Sequence, residues 1–557
     1  MTRTETAWSG RRGIALVAAV ALAASLVGIR NDFTNDDIHL IANNARVQDL
    51  ANWSEWIRLP FWPPPYSPDL YRPVTSALLA LEYIAGAGSP AVFRIVSYLL
   101  YAACAVGVFS LAKRMLPETF AFGAALLFAA HPVHVEAVAL GVGQSELAVA
   151  LIAMAMCVRY IDRRRGDGLR RKDWLILGML YAVACLTKEH GLVIPGLLVA
   201  AELVLISAPK RAVMPGLAGL TVIAAAVLFV RHLVLGDVGG SFTAEALVGL
   251  GAGGRALTML AVVPRWLHLL AWPSHLQADY SPREIVASPG FGITEAAGLI
   301  VVMSVLIAGW AMRRRSPAVS FGIAWMAITL LPVSNVIIPT GIVLAERTLF
   351  LPSVGFVITV TALVDVLLSG DARLARPVVC AGLVLVAIGV GRSVERQRVW
   401  RNEGYLVGRS VQDAPLSFRM QEAYGDLLFG ADQPELAHQA YARAMDLAPR
   451  ATTWRVQNDL GRALARRGDT AEQAVVLRAS LAQQPDQELI RAELVAAQLV
   501  LGEYTDARSV ADSGVAMGKS VAVFAGLRAV ADSALRSNAP PGSIRLSLQS
   551  GALAPSR

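Results

Sequence analysis

The feature that most constrains this chain is its succession of long apolar runs. They fall near 14–29, 93–112, 119–131, 141–161, 173–187, 189–208, 212–235, 291–312, 317–332, 348–369 and 375–391. A helix needs about 20 apolar residues to cross a bilayer, and lipid leaves no water for unpaired backbone groups. These runs therefore predict an all-α, polytopic membrane protein of about eleven transmembrane helices. Composition agrees: 55% of the 557 residues are hydrophobic and 17% charged, where soluble domains carry about 25% charged residues. The net charge of +8 is carried by short basic loops between apolar runs, so it is an orientation signal and not a nucleic-acid footprint.

With eleven spans, Arg11-Arg12, Lys113-Arg114, Arg163 to Lys172, Lys210-Arg211, Arg313 to Arg315 and Arg373 to Arg376 share one face. The positive-inside rule makes that face cytoplasmic and puts the N-terminus there. The first run lacks a small-residue cleavage site before Arg30, which predicts a retained helix. Cys104, Cys157, Cys185 and Cys380 all lie in apolar runs and read as core residues, not disulfides or metal ligands.

The opposite face collects most of the other polar clusters. It receives Asp36-Asp37 just past the first span, His131-Pro-Val-His134-Val-Glu136, Lys188-Glu189-His190 and Ala345-Glu346-Arg347. Carboxylates this close to hydrocarbon must face water, headgroups or a substrate, since a central Asp costs about 2.5–3.5 kcal/mol. Residues 72–86 and 255–272 are apolar but interrupted by charges, which suits helices lying at the interface.

Beyond about Arg392 the apolar runs stop and a repeat begins. Tyr424-Gly425, Ala437, Tyr441, Ala444 and Pro449 match Leu460-Gly461, Leu477 and Pro485; the Gly-to-Pro spacing is 24 in both, and the copies are offset by 36. Small residues where two helices cross, with a Pro closing the second, predict a tetratricopeptide-repeat helical solenoid. A third, degraded copy covers about 488–520. The expected domains are 1–391 in the membrane, 392–540 as repeats on the extracytoplasmic side, and 541–557 as a flexible tail.

Seven strings carry a resemblance. They are Asn35-Asp36-Asp37-Ile38; Tyr71-Arg72-Pro73-Val74-Thr75; His131 to Val138; Lys188-Glu189-His190-Gly191; Asp279-Tyr280-Ser281; Leu331 to Asn335; and Ala345 to Ser353. In this order, with repeats following, the chain resembles the transmembrane and tetratricopeptide-repeat-containing protein O-mannosyltransferases of the GT-C glycosyltransferase superfamily. Gly143-Gln144-Ser145-Glu146 departs from the family's usual Gly-Arg, and the repeat array is short, which bears on acceptor choice.

The resemblance implies transfer of a sugar, mannose above all, from a polyprenyl-phosphate donor to a hydroxyl acceptor such as a protein Ser or Thr. It implies inversion at the anomeric carbon, on the extracytoplasmic face. An acceptor hydroxyl needs a carboxylate to take its proton; Asp36 matches the family's first acidic position, and Asp37 either orients the acceptor or is itself the base. The departing lipid phosphate needs cations, for which Arg347, Arg72 and Lys188 are candidates. His131, His134, Glu136, Glu189, Glu346 and Asp279 are expected to shape the pocket. No cofactor is required; the His-x-x-His and Glu pattern only partly suits a divalent metal, which is possible but not favoured. Expected partners are the polyprenyl-phosphate sugar, membrane lipid, and a protein or peptide presented by the repeats, with no nucleic acid. A bacterial inner membrane with a periplasmic catalytic face fits the composition. Two other readings remain: the same chemistry on a lipid or glycan acceptor, and a non-enzymatic membrane-anchored scaffold.

Overall fold

A computed structural model describes residues 10–64, 69–207, 210–237, 243–370, 372–518, 520–544, 546–549 and 552–555. The chain is almost wholly helical and divides into two compact units.

The first unit comprises the residues up to Tyr280 together with Ile285–Asp413. Its principal helices are α1 (Arg11–Ser25), α2 (Pro73–Ala85), α3 (Pro90–Ala112), α4 (Glu118–Ala129), α5 (Val135–Ala139), α6 (Gln144–Arg165), α7 (Arg171–Thr187), α8 (Ile194–Val204), α9 (Met214–Leu235), α10 (Ala252–Ala271), α11 (Ile293–Met312), α12 (Pro317–Leu330), α13 (Phe350–Gly370), α14 (Ala375–Val399) and α15 (Glu403–Asp413). Among the described residues, seven helices are long and apolar enough to cross a membrane, or eight if α4 and the segment Pro132–Ala139, bent by 49°, make one span. The remaining expected spans fall on shorter helices, α7, α8 and α12.

Small residues let these helices approach closely, because lipid supplies no hydrophobic force between them. A Cβ on Gly322 of α12 would meet the Gly355 carbonyl oxygen at 2.7 Å, and one on Gly355 of α13 would meet that of Gly322 at 2.4 Å. Ion pairs fix both ends of α6. At its start Glu146 holds Lys188, which follows α7; toward its end Arg164 and Tyr160 hold Glu202 of α8, and Arg159 holds Asp173 at the start of α7. Arg114, after α3, donates to both oxygens of Asp162. Hence α7 and α8 each run the whole distance between the two ends of α6, although each is short.

Helix α10 covers most of the stretch expected as an interfacial helix, 255–272, and packs one face inward. Met259, Val262, Trp266, Leu269 and Leu270 are buried in an internal cluster with Leu344 and Leu349, and Arg255 donates to the carbonyls of Asn335 and Val336. Arg255 is thus satisfied by loop backbone, and one face of the helix packs internally while Arg265, His268 and Trp272 stay exposed.

Residues 392–413 pack with the first unit, because α14 runs on to Val399 and the chain that follows braces the loop after α1. Arg401 accepts from the Asp32 N–H at 2.9 Å, Glu403 from the Asn35 N–H at 2.7 Å, and Arg396 pairs with Asp413 at 3.1 Å.

The second unit comprises Ala414 onward with Ser281–Glu284, which are tied to it by the Arg283 N–H donating to the Leu416 carbonyl and by a Ser281–Ser417 hydroxyl pair. Its helices pack as antiparallel pairs: α16 (Phe418–Gly430) with α17 (Pro434–Leu447), α18 (Thr453–Arg467) with α19 (Thr470–Gln483), and α20 (Glu488–Leu501) with α21 (Tyr504–Ala516), followed by α22 (Val521–Ser537). A Cβ on Gly425 would sit 2.8 Å from the Tyr441 ring, and one on Gly461 would sit 2.5 Å from Leu477. Both crossings need glycine for the same reason. Gly468 and Gly502 both end their helices at φ +83°, which an L side chain would resist. The last strands, Leu546–Gln549 and Ala552–Pro555, form a short antiparallel pair within the expected tail.

Candidate active site

The loop after α1 turns sharply because Asn35 takes φ +50°, which Asn tolerates better than most residues. Arg94, a fully buried arginine on α3, donates to the Asp32 carbonyl at 2.7 Å and lies 3.4 Å from Asp37. The loop is thus held at both ends by one guanidinium.

The two neighbouring carboxylates have different surroundings. Asp37 is fully buried and accepts from the backbone N–H groups of Gly141 (2.8 Å) and Val142 (2.9 Å) as well as facing Arg94. Burial pushes its carboxyl above the ordinary value, against the lowering effect of Arg94 and the two N–H donors. Asp36 is 22% exposed and has Arg347 at 3.3 Å. Of the pair, only Asp36 can be reached by another molecule.

Arg347 joins Asp36 to Glu136. Its backbone N–H and its Nη1 each donate to one oxygen of the buried Glu136, both at 2.8 Å, while Nη2 faces Asp36. This grip sets the guanidinium plane and leaves it 21% exposed.

The turn after α7 supplies the next charges. Lys188 donates to Glu146 at 2.5 Å, and His190 Nδ1 lies 3.2 Å from the other oxygen of that carboxylate. Glu189 accepts from Arg72 at 2.7 and 3.0 Å and from Arg231 at 2.7 Å. Burial works against the charge on Glu189, yet Arg72 and Arg231 hold its carboxyl well below the usual range. Lys188 is pushed below an ordinary lysine by burial and by the positive Arg72 and Arg347, with Glu146 opposing. That mutual influence places Arg347, Arg72 and Lys188 in one electrostatic neighbourhood.

Other expected pocket residues have scaffold partners. Glu346 is fully buried and accepts from the Gln277 N–H (2.5 Å) and the Tyr280 hydroxyl (3.0 Å). Asp279 sits half-buried beside Tyr280. His131 is bound through Nε2 to the Leu270 carbonyl and through Nδ1 to the Val133 N–H. His134 contacts the Tyr101 and Ser353 hydroxyls and is ringed by Phe128 and Phe350. Their nitrogens are taken by protein atoms, so neither histidine faces Asp36 or Arg347 as a free ligand. Among the described residues no group of three His, Cys, Asp or Glu side chains could hold a metal ion.

Arg94, Arg231 and Glu403 were not among the expected site residues. The first two had a legible signal, a solitary arginine within an apolar run, which marks function or a buried partner. Glu403 had none. The assembled groups can accept a proton at Asp36 and hold an anion beside it.

Residues 71–235 match the family described as dolichyl-phosphate-mannose-protein mannosyltransferase. A protein O-mannosyl-transferase of Caenorhabditis elegans is 24% identical over 79% of this chain and 63% of its own length. TMTC4 of Mus musculus, also named a protein O-mannosyl-transferase, is 26% identical over 75% of this chain and 64% of its own. The chain is thus similar to protein O-mannosyl-transferases over about three quarters of its length. It spans less than two thirds of the length of those two relatives. Among solved structures, the archaeal oligosaccharyltransferase AglB of Archaeoglobus fulgidus, in complex with an inhibitory peptide and a dolichol-phosphate, is similar at a TM-score of 0.39 and 14% identity, over 69% of this chain and 55% of that one.

Proposed function

We propose that the chain is a membrane glycosyltransferase that moves mannose from a polyprenyl-phosphate donor to a protein Ser or Thr hydroxyl, with inversion, on the extracytoplasmic face. The observation that carries this reading is Asp36, the accessible carboxylate of the Asp36-Asp37 pair, set against Arg347 with Lys188 and Arg72 in the same neighbourhood.

Asp36 takes the proton of the acceptor hydroxyl as its oxygen bonds to the anomeric carbon, an effect worth about 10²–10⁴-fold. The bond from that carbon to the phosphate oxygen breaks, and the lipid phosphate leaves with the electron pair. Arg347, Arg72 and Lys188 stabilise its charge; preorganised charges of this kind cost no reorganisation when the bond breaks. One displacement with one base inverts the anomeric centre. Asp37 positions the loop and the Gly141-Val142 backbone. The reading includes eleven spans with the basic loops cytoplasmic, and tetratricopeptide repeats in the second unit that present the acceptor. The names of the two relatives, both protein O-mannosyl-transferases, support the sugar and the protein acceptor.

The test uses the purified chain in lipid with labelled polyprenyl-phosphate-mannose and envelope extract. Label should enter protein, fall at least 100-fold in Asp36→Asn, and fall in Asp37→Asn only together with thermal stability. Label entering lipid or glycan would overturn the acceptor. No transfer from this or other lipid-phosphate sugars would overturn the enzyme.

A further inference from the structure

At the end of α3 and α6 away from Asp36, a trench of about 590 Å³ runs between the two helices. Ala103, Gly107 and Ser110 of α3 form one side, and Ala155 and Val158 of α6 the other. Ala155 is exposed and the α3 residues are half-buried, so the trench is reached from the flank of the helices. One end is charged. Arg159 and Arg163 line it and share one carboxylate, Asp173, at 2.6 and 3.2 Å, while Asp162 is already bound by Arg114. Nε of Arg159 is buried with no hydrogen-bond partner. Three arginines thus face two carboxylates, beside the basic loop from Arg163 to Lys172.

We infer that this trench binds one anionic phospholipid, its phosphate on Arg159 and Arg163 and an acyl chain along Ala103, Gly107 and Ala155. The apolar floor suits a hydrocarbon chain. The unmatched positive charge lies at the helix ends, where a headgroup phosphate would lie, and basic pockets between membrane helices take such headgroups. A guanidinium with a spare buried N–H gains a phosphate oxygen as acceptor. The site is independent of the transfer chemistry, since it shares no residue with the Asp36 cluster.

The experiment is native mass spectrometry of the delipidated full chain with phosphatidylglycerol and phosphatidylcholine of identical acyl chains. The wild type should retain one phosphatidylglycerol in preference to phosphatidylcholine. Arg163→Gln should weaken retention about five-fold, the effect of one basic residue near a lipid headgroup. Ala155→Phe, at an exposed position, should abolish retention with thermal stability kept, whereas Val222→Phe on the exposed flank of α9 should not abolish it. Equal retention of both lipids, or a preference untouched by Ala155→Phe, would overturn the site. So would a doubled mass that Ala155→Phe returns to one chain, which would make the trench a seat for a second copy.

Discussion

Arg94 and Asp37 show how one buried ion pair governs a loop it does not catalyse in. Without Arg94, Asp37 keeps two N–H donors but loses the cation that faces it, and breaking a buried pair costs about 3–5 kcal/mol. Arg94→Met should lower stability by that order in detergent. The loss has a pH sign. Asp37 already sits above the ordinary carboxylate value, so its ionisation costs stability as pH rises through the folded value. Removing Arg94 raises it further, so the deficit should be smallest at acid pH, where Asp37 is protonated, and grow toward neutrality. Thermal unfolding at several pH values checks this; a deficit that shrinks with rising pH would contradict it. Lys188 gives the opposite kind of test. Held below an ordinary lysine, whose value is about 10.4, it should lose its proton, and with it donor affinity, at a lower pH than that. The KM for the lipid-phosphate sugar should therefore rise on the alkaline side from below pH 10.4, and Lys188→Arg should remove that limb.

At the scale of elements, the decisive contacts are those that a side chain would destroy. Gly355 lies where a Cβ would meet backbone, Gly322 O at 2.4 Å and Met326 N at 2.9 Å, which cannot rotate aside. Gly355→Val should force α12 and α13 apart at about 1–3 kcal/mol or more. It should also reduce transfer, because α13 starts three residues after Arg347. Gly382→Val on α14, where a Cβ would meet nothing within 4 Å, should be neutral by both measurements. Legibility in the sequence follows the same line. The Gly425–Tyr441 and Gly461–Leu477 crossings could be read because a small residue facing a large one recurs at fixed spacing. Charged strings such as Lys188-Glu189 and Glu346-Arg347 stood out because they interrupt apolar runs. Which member of each string meets a ligand was not legible: Glu346, His131 and His134 take scaffold partners from Gln277, Leu270 and Ser353, far away in sequence.

The whole molecule turns on how many times the chain crosses. By length alone α7 and α8 would not qualify, yet the pairs Glu146–Lys188 and Arg164–Glu202 tie their ends to opposite ends of α6, which is itself long enough to span. The same reasoning applies to the bent pair α4 and α5. Arg114 after α3 reaches Asp162 at one end of α6, while Glu136 of α5 holds Arg347 beside Asp36, at the end where Asp37 meets Val142. On the proposed topology the chain crosses between Arg114 and Glu136. Single cysteines introduced after removal of the four native ones test this with a membrane-impermeant reagent on sealed vesicles. Lys113→Cys and Asp167→Cys should label from one side, and Val286→Cys and Glu435→Cys from the other. If α4 and α5 did not cross, Lys113→Cys and Asp167→Cys would label from opposite sides. In that case the basic loops on either side of α6 would no longer share a face, and the positive-inside argument for a cytoplasmic N-terminus would fail with them.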